Sequence, residues 1–245
     1  MMPPLNLWSV SEPDRSPGQR PDFAWIPESK GLGKLFMGAR KRQDVRTGRS
    51  LRFFVFSWGV SWINGAEEVS ADWDEVTHVW RAITRHSANG SPTYTDYQYT
   101  LRLADGRSRS FRGSLPARRA RASGAVRLKP TRGMTTPVTI EQLGRLLETG
   151  VTRVQLPKAI DRLNAGKSVA FGPLTLSPKG IAAGGQSLPW EEIEEVQTRK
   201  EVVSVRKSGK WLAWKRAQVS EIPNYFVFDA LVRANLSPPP SAVRF

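Results

Sequence analysis

A chain of 245 residues with 37 Lys plus Arg against 22 Asp plus Glu carries a formal charge of +15, a field that draws polyanions such as nucleic acid or an anionic bilayer. The absence of cysteine excludes disulfides, thiolate metal sites and a cysteine nucleophile. Hydrophobic content of 39% is low, yet nine Trp and ten Phe are too much apolar surface to leave in water, so folded units flanked by unfolded stretches are expected.

Residues 1–30 read as a disordered, proline-punctuated leader in which Trp8, Phe23 and Trp25 are isolated apolar residues. Met1 to Arg20 lacks the apolar run of an export signal, and a chain without cysteine fits a cytoplasmic location. A basic run follows from Lys30 to Arg52, including Arg40, Lys41 and Arg42, against the single acid Asp44. Leu51 to Ile63 is the most apolar stretch. At about a dozen residues it falls short of the ~20 needed to span a bilayer, so it reads as a buried strand pair.

Trp73 to Thr84 is a further candidate strand. In Tyr97 to Leu103 the residues Tyr97, Tyr99, Leu101 and Leu103 alternate with Gln98, Thr100 and Arg102, the period of a half-buried antiparallel strand. Asp105-Gly106 then signals a hairpin turn. Gly113 to Pro137 breaks the pattern and holds Arg118, Arg119, Arg121, Arg127, Lys129 and Arg132 with no acid, which reads as a mobile basic loop. Thr139 with Gln142 three residues on forms a capping box, and Ile140, Leu143, Leu147 and Val151 line one side of the helix it starts. A second helix is expected from Pro157 to Gly166, with Ala159, Ile160 and Leu163 as its apolar edge.

Strands are expected again at 168–177, 194–200, 202–207 and 211–216. The Gly180–Gly185 stretch reads as a turn, because it lacks the Lys-Ser/Thr of a phosphate-binding loop. A last helix starts near Asn224, and Ser237-Pro-Pro-Pro-Ser241 ends the pattern. The chain thus divides into a leader (1–30), a first unit (31–151) with its basic loop (113–137), a connecting helix (152–166), a second unit (167–236) and a tail (237–245).

The halves repeat. Trp73/Trp190, Val76/Ile193 and Val79/Val196 are each 117 residues apart, within Trp-acid-acid-Val/Ile blocks. An aromatic strand precedes each block, a strand–glycine turn–strand follows it around Gly106 or Gly209, and a helix closes each half. The indoles Trp73 and Trp190, with Val76 and Ile193, are expected to anchor the cores, with the acids facing water.

Little points to catalysis. His78 and His86 are the only histidines, and neither has a partner visible in sequence. His78 corresponds to Glu195 in the second copy, an exchange that suits an exposed face. No cluster has metal-ligand spacing. Glu191, Glu192, Glu194 and Glu195 read as a solvated acidic edge. No cofactor, metal or small-molecule substrate is expected.

The order of elements, with a Trp-x-x-Ile entry into a strand and one closing helix, resembles the bacterial pleckstrin-homology-like (PH-like) domain. Phe171-Gly-Pro-Leu-Thr175, Trp190-Glu-Glu-Ile193 and Ile222-Pro-Asn224 are similar to strings of an actinobacterial family of unknown function with two such units. The resemblance spans about residues 50–236. It implies a mainly β fold with capping helices (α+β), two tandem bent seven-stranded barrels each closed by a helix, and a binding role without catalysis. It transfers no ligand residues, and phosphoinositide binding by eukaryotic relatives does not carry over.

The expectation is a non-catalytic cytoplasmic scaffold that binds a protein partner or an anionic membrane surface, the latter as a peripheral protein at the inner face. The candidate polyanion contacts are Arg118, Arg119, Arg121, Arg127, Lys129 and Arg132, then Arg40, Lys41 and Arg42. The alternative is a nucleic-acid-binding accessory protein. Base-stacking aromatics interleaved with cations on one sheet face would favour it, and Tyr94, Tyr97 and Tyr99 near Arg102 hint at this while fitting a core equally well.

Overall fold

Period-two alternation and turn residues set the first strands. The computed structural model describes residues 31–40, 51–64, 67–117, 129–130 and 139–236. Strands β1 (Leu35–Arg40), β2 (Leu51–Phe56), β3 (Gly59–Asn64) and β4 (Glu67–Asp72) form an antiparallel meander. A turn at Trp73–Glu75 leads to a second meander of β5 (Val76–Ala88), β6 (Ser91–Leu103) and β7 (Ser108–Pro116). The two-residue β8 (Lys129–Pro130) then pairs with the free edge of β1. The expected leader, the tail and most of the basic loop lie outside the described residues. Gly113–Pro116, which had been expected to belong to that loop, completes β7 instead.

Helix α1 (Ile140–Asn164) begins at the Thr139–Gln142 capping box. The Gln142 N–H donates to Thr139 Oγ1 at 3.2 Å, and the Thr139 N–H donates to Gln142 Oε1 at 2.9 Å. It does not stop for a second helix at Pro157, as the sequence suggested; Pro157 lies inside one 25-residue helix. A proline there removes one hydrogen bond and costs about 3 kcal/mol. Burial on both sides outweighs that cost. Ile140, Leu143, Leu147 and Val151 enter one core, and Leu156 and Ala159 enter another. Each buried aliphatic side chain contributes about 1.5–3 kcal/mol.

The second half repeats the plan. Strands β9 (Val169–Phe171), β10 (Leu174–Ser177), β11 (Gly180–Ala183) and β12 (Gln186–Pro189) form a four-stranded meander. A 3₁₀ turn at Trp190–Glu192 leads to β13 (Ile193–Arg199), β14 (Val202–Lys207) and β15 (Ala213–Gln218), and α2 (Tyr225–Leu236) closes the unit. Two expectations fail locally. Gly180–Ala183 is a strand, because Ile181 and Ala183 are drawn into the core, and only Gly184-Gly185 turn. The last strand starts two residues later than expected, so that Ala217 faces the core and Trp211 is left 86% exposed.

The two halves make matching hydrogen bonds. Trp73 Nε1 donates to the Ser57 carbonyl at 3.2 Å, and Trp190 Nε1 donates to the Ser177 carbonyl at 3.1 Å. The Glu75 carbonyl accepts from the Ala104 N–H, and the Glu192 carbonyl accepts from the Ser208 N–H, both at 2.8 Å. A Cβ on Gly59 would lie 2.2 Å from the Ala71 carbonyl oxygen, and one on Gly180 would lie 2.1 Å from that of Leu188. Both glycines let strand backbones approach at the same corner.

None of the described sheets closes into a barrel. Among the described residues no strand pairing joins the five-stranded sheet of the first half, or the four-stranded sheet of the second, to the three-stranded sheet of the same half. Side chains fill the gap instead. Phe53, Trp62 and Trp73 meet Tyr99, Leu101 and Phe111 in the first core, which α1 covers. Phe171, Leu174 and Ile181 meet Val203, Val205 and Phe228 in the second. A mainly β architecture with two helices is therefore observed.

Two rings press directly on the α1 backbone. A Cβ at Gly144 would fall 1.9 Å from the Tyr99 ring, and one at Gly150 would fall 2.4 Å from the Trp73 indole. Gly144→Ala gains about 1 kcal/mol of helix propensity but overpacks a buried ring, at about 1–3 kcal/mol or more. We expect the clash to win, and urea denaturation of Gly144→Ala to show a lower midpoint than the parent protein.

Candidate functional site

The two units share a framework, and the polar chemistry gathers where they differ: at the joint between them and on one open sheet face. The joint is built on the edge of β5. Asn224, just before α2, has a left-handed φ of 52°. Its N–H donates to the Val79 carbonyl at 2.8 Å, the Val79 N–H donates to Asn224 Oδ1 at 2.9 Å, and Asn224 Nδ2 donates to the Thr77 carbonyl at 2.8 Å. One residue of the second unit thus extends the first unit's sheet. The Asn224 carbonyl also starts α2, accepting from the N–H groups of Val227 and Phe228.

Two residues along β5, Arg81 sits between charges and rings from three other elements. Its Nη1 is 3.6 Å from Glu148 Oε1 on α1, and its Nε is 3.4 Å from Glu201 Oε2 in the β13–β14 turn. The guanidinium lies 4.9 Å from the Tyr225 ring centroid and 5.0 Å from that of Phe226. Lys200 and Glu201 both have positive φ, the backbone of a two-residue hairpin turn usually made by Asn-Gly. This turn brings the Glu201 carboxylate to Arg81. Val79, Val151 and Thr152 complete a narrow crevice around the cluster.

These ion pairs lack hydrogen-bond geometry, and Arg81 Nε, Glu148 Oε1 and Glu201 Oε2 are buried without a hydrogen-bond partner. Desolvation therefore dominates. Burial, with Glu201's charge adding, pushes the Glu148 carboxyl up to about 7 against the pull of Arg81 and, more weakly, Arg145.

The second feature is the face of the β5–β6–β7 sheet turned away from α1. Strands β5 and β6 have 13 residues each, against 7 and 6 in β13 and β14. Their register sets five rows across this face: His78/Arg102/Ser108, Trp80/Thr100/Ser110, Ala82/Gln98/Arg112, Thr84/Asp96/Ser114 and His86/Tyr94/Pro116. The His78 and Trp80 rings stack at 5.2 Å and 12°, and the His86 and Tyr94 rings at 4.1 Å and 14°. Burial, then the charge of Arg102, holds His78 below the usual imidazole range, so it is neutral at pH 7.

Asp96 contacts His86 Nε2 at 2.9 Å and accepts from Ser114 Oγ. The carboxylate stands between hydroxyl and imidazole, so this order differs from a serine–histidine–aspartate triad, in which the imidazole contacts the serine. Both histidines, which had no partner visible in sequence, have one in the fold.

Trp73, Val76 and Ile193 are buried, while Trp190 is half-buried against the second core. Tyr97 and Tyr99 point to the core side and Tyr94 to the open side. Glu194 and Glu195 pair with Arg206 at 3.2 and 2.9 Å, and Glu192 pairs with Lys207 at 2.5 Å. The acidic edge read from the sequence is therefore matched by cations on the next strand. Arg40 and Lys129 are opposite each other in the backbone register of the β1–β8 pairing. Lys41, Arg42, Arg118, Arg119, Arg121, Arg127 and Arg132 lie outside the described residues. Sequence reading missed the Arg81 joint, since its partners are 67 and 120 residues away and lack any shared motif.

Residues 136–241 match the model of a family of unknown function (DUF6585), a stretch that takes in all of α1 together with the second unit. No curated protein shows significant similarity to the chain.

Glu148 makes the joint sensitive to pH. Its folded value lies above the ordinary 4.5, so the stability it contributes is full below about 4.5 and is lost as pH rises through about 7. At most this is about 3 kcal/mol. We expect Glu148→Gln to flatten the stability profile across this window and to be more stable than the parent at pH 8, measured by denaturant unfolding at stepped pH. Asn224→Ala leaves the Val79 N–H and the Thr77 carbonyl without their side-chain partner and should cost about 1–3 kcal/mol in the same assay.

Proposed function

We propose that the chain is a non-catalytic binding and scaffold protein whose basic segments engage a polyanionic partner. The single observation that carries this reading is the backbone pairing of β1 with β8, in which Arg40 of one basic run stands opposite Lys129 of the other. Arg and Lys gathered in runs neutralise phosphates without reading sequence, with an affinity that falls as salt rises. The buried polar side chains of the joint hold two units together and are spent on structure. That suits a scaffold more than a reaction centre.

The finer reading is of two PH-like units. A four-stranded meander, a three-stranded meander and a helix in that order, twice, support it. A cytoplasmic setting, with peripheral attachment at the inner membrane face for a membrane ligand, belongs to the same reading. Among the described residues no helix is long and apolar enough to cross a membrane. A protein partner or an anionic membrane surface is the first ligand class on this reading, and nucleic acid is the alternative. The open β5–β6–β7 face carries the aromatic rings interleaved with cations that favour the alternative.

Co-sedimentation with anionic and neutral liposomes, and retention on duplex DNA and heparin, across a salt series, tests this. We expect retention on polyanions at low salt, weakening as salt rises, and at least a severalfold loss when Arg118, Arg119 and Arg121 are changed together to Gln. Failure to bind any polyanion at low salt would remove the reading.

A further inference from the structure

We propose that the open face of the β5–β6–β7 sheet is a binding platform for single-stranded nucleic acid, on which bases stack against the His78–Trp80 and His86–Tyr94 ring pairs while Arg102 and Arg112 hold the backbone phosphates. The proposal rests on the polyanion reading above and assigns it a specific surface.

Geometry comes first. All ten residues of β5 and β6 in the five rows, and their β7 neighbours, share one side because the register between His78 and His86 is regular. The two ring pairs stand on this side about 20 Å apart along the strands, on the ~3.3 Å rise per residue. Each pair is already near-parallel, so a base adding to it continues an existing stack. Tyr94 is 42% exposed. Base–aromatic stacking tolerates any sequence because every base has a π-face.

Charge and polarity point the same way. Arg102 and Arg112 are exposed on this face, and its one carboxylate, Asp96, is engaged by His86 and Ser114. Gln98 lies between the ring pairs, and the bonded hydroxyls of Thr100 and Ser110 lie beside Trp80, so amide and hydroxyl groups are in reach of base edges. The face has no Leu, Ile, Val or Phe in its five rows. A surface built to enter a bilayer would present such side chains; one built for bases needs rings, guanidinium groups and amides. The second unit has no equivalent: Glu194 and Glu195 of its shorter β13 are paired with Arg206.

The test is fluorescence anisotropy of the full chain with labelled 12-nucleotide oligo(dT) and oligo(U). A duplex of the same length, heparin and anionic vesicles of phosphatidylserine and phosphatidylcholine serve as separate arms. The exposed-ring variant Tyr94→Ala, the half-buried Trp80→Ala and the cation variant Arg112→Gln are compared with Trp211→Ala, which alters an exposed indole on the other unit. Circular dichroism confirms that each variant is folded, and Tyr94→Ala keeps the test alive if Trp80→Ala is not.

We expect single strands to bind more tightly than the duplex. Tyr94→Ala should weaken them at least about fivefold, and Trp211→Ala should leave them unchanged. Arg112→Gln should also reduce the salt dependence, by about 0.7 in log–log slope. The dT and U arms tell whether DNA or RNA is preferred. If the parent binds vesicles, heparin or duplex while Tyr94→Ala and Arg112→Gln bind single strands like the parent, the platform is wrong and the polyanion reading stands. If the parent binds none of the probes, both fall.

Discussion

Helix α1 is the constraint on which the rest of the structure depends. It is 25 residues long, and its two ends serve different cores. Among the described residues no strand pairing joins either three-stranded sheet to the larger sheet of its own half, so what holds each pair together is side chains: buried apolar ones in both halves, with the Arg109–Glu67 bridge added in the first. The first unit's apolar gap is closed by the N-terminal half of α1, with Gly144 and Gly150 letting Tyr99 and Trp73 lie against its backbone. The C-terminal half packs beside α2 and the second core. Breaking this helix at Pro157 would separate two hydrophobic burials that the continuous helix secures together, which is why the local cost of proline is tolerated.

Around that helix the joint adds polar specificity. Asn224 spends both its backbone and its amide on the edge of β5, and Arg81 is shared by two carboxylates and two rings. A buried group of this kind is a weak source of net stability but a strong source of register, since any other arrangement strands charges away from water. The raised Glu148 value expresses the same balance: burial wins over an ion pair that lacks hydrogen-bond geometry. The duplicated framework thus fixes each unit, and unduplicated residues fix how the units meet.

The two units differ in the surfaces of their three-stranded sheets. Strand β13 is short, its Glu194 and Glu195 are matched by Arg206, and Glu192 just before it is matched by Lys207. Strand β5 is nearly twice as long, and the far part of its hairpin with β6 carries the His86–Tyr94 pair.

Much of this was legible in the residues. The alternation from Tyr97 to Leu103, the Asp105-Gly106 turn, the Thr139–Gln142 cap, the helix after Asn224 and the 117-residue repeat are local patterns, and local physics set them: pleat, turn dihedrals, orphan N–H groups. The sequence by itself determined a mainly β chain with two similar halves, a strong positive charge and no thiol chemistry. Only the tertiary structure decided that α1 runs through Pro157, that Gly180–Ala183 is a strand, and that Arg81, Glu148, Glu201 and Asn224 meet. It also decided that His86 finds Asp96 and that Tyr94 faces away from Tyr97 and Tyr99. The reason is range. A strand's period can be read from seven neighbouring residues, but which edge an asparagine caps 145 residues away, or which side of a paired sheet stays open to water, depends on how whole elements bury their apolar faces against one another.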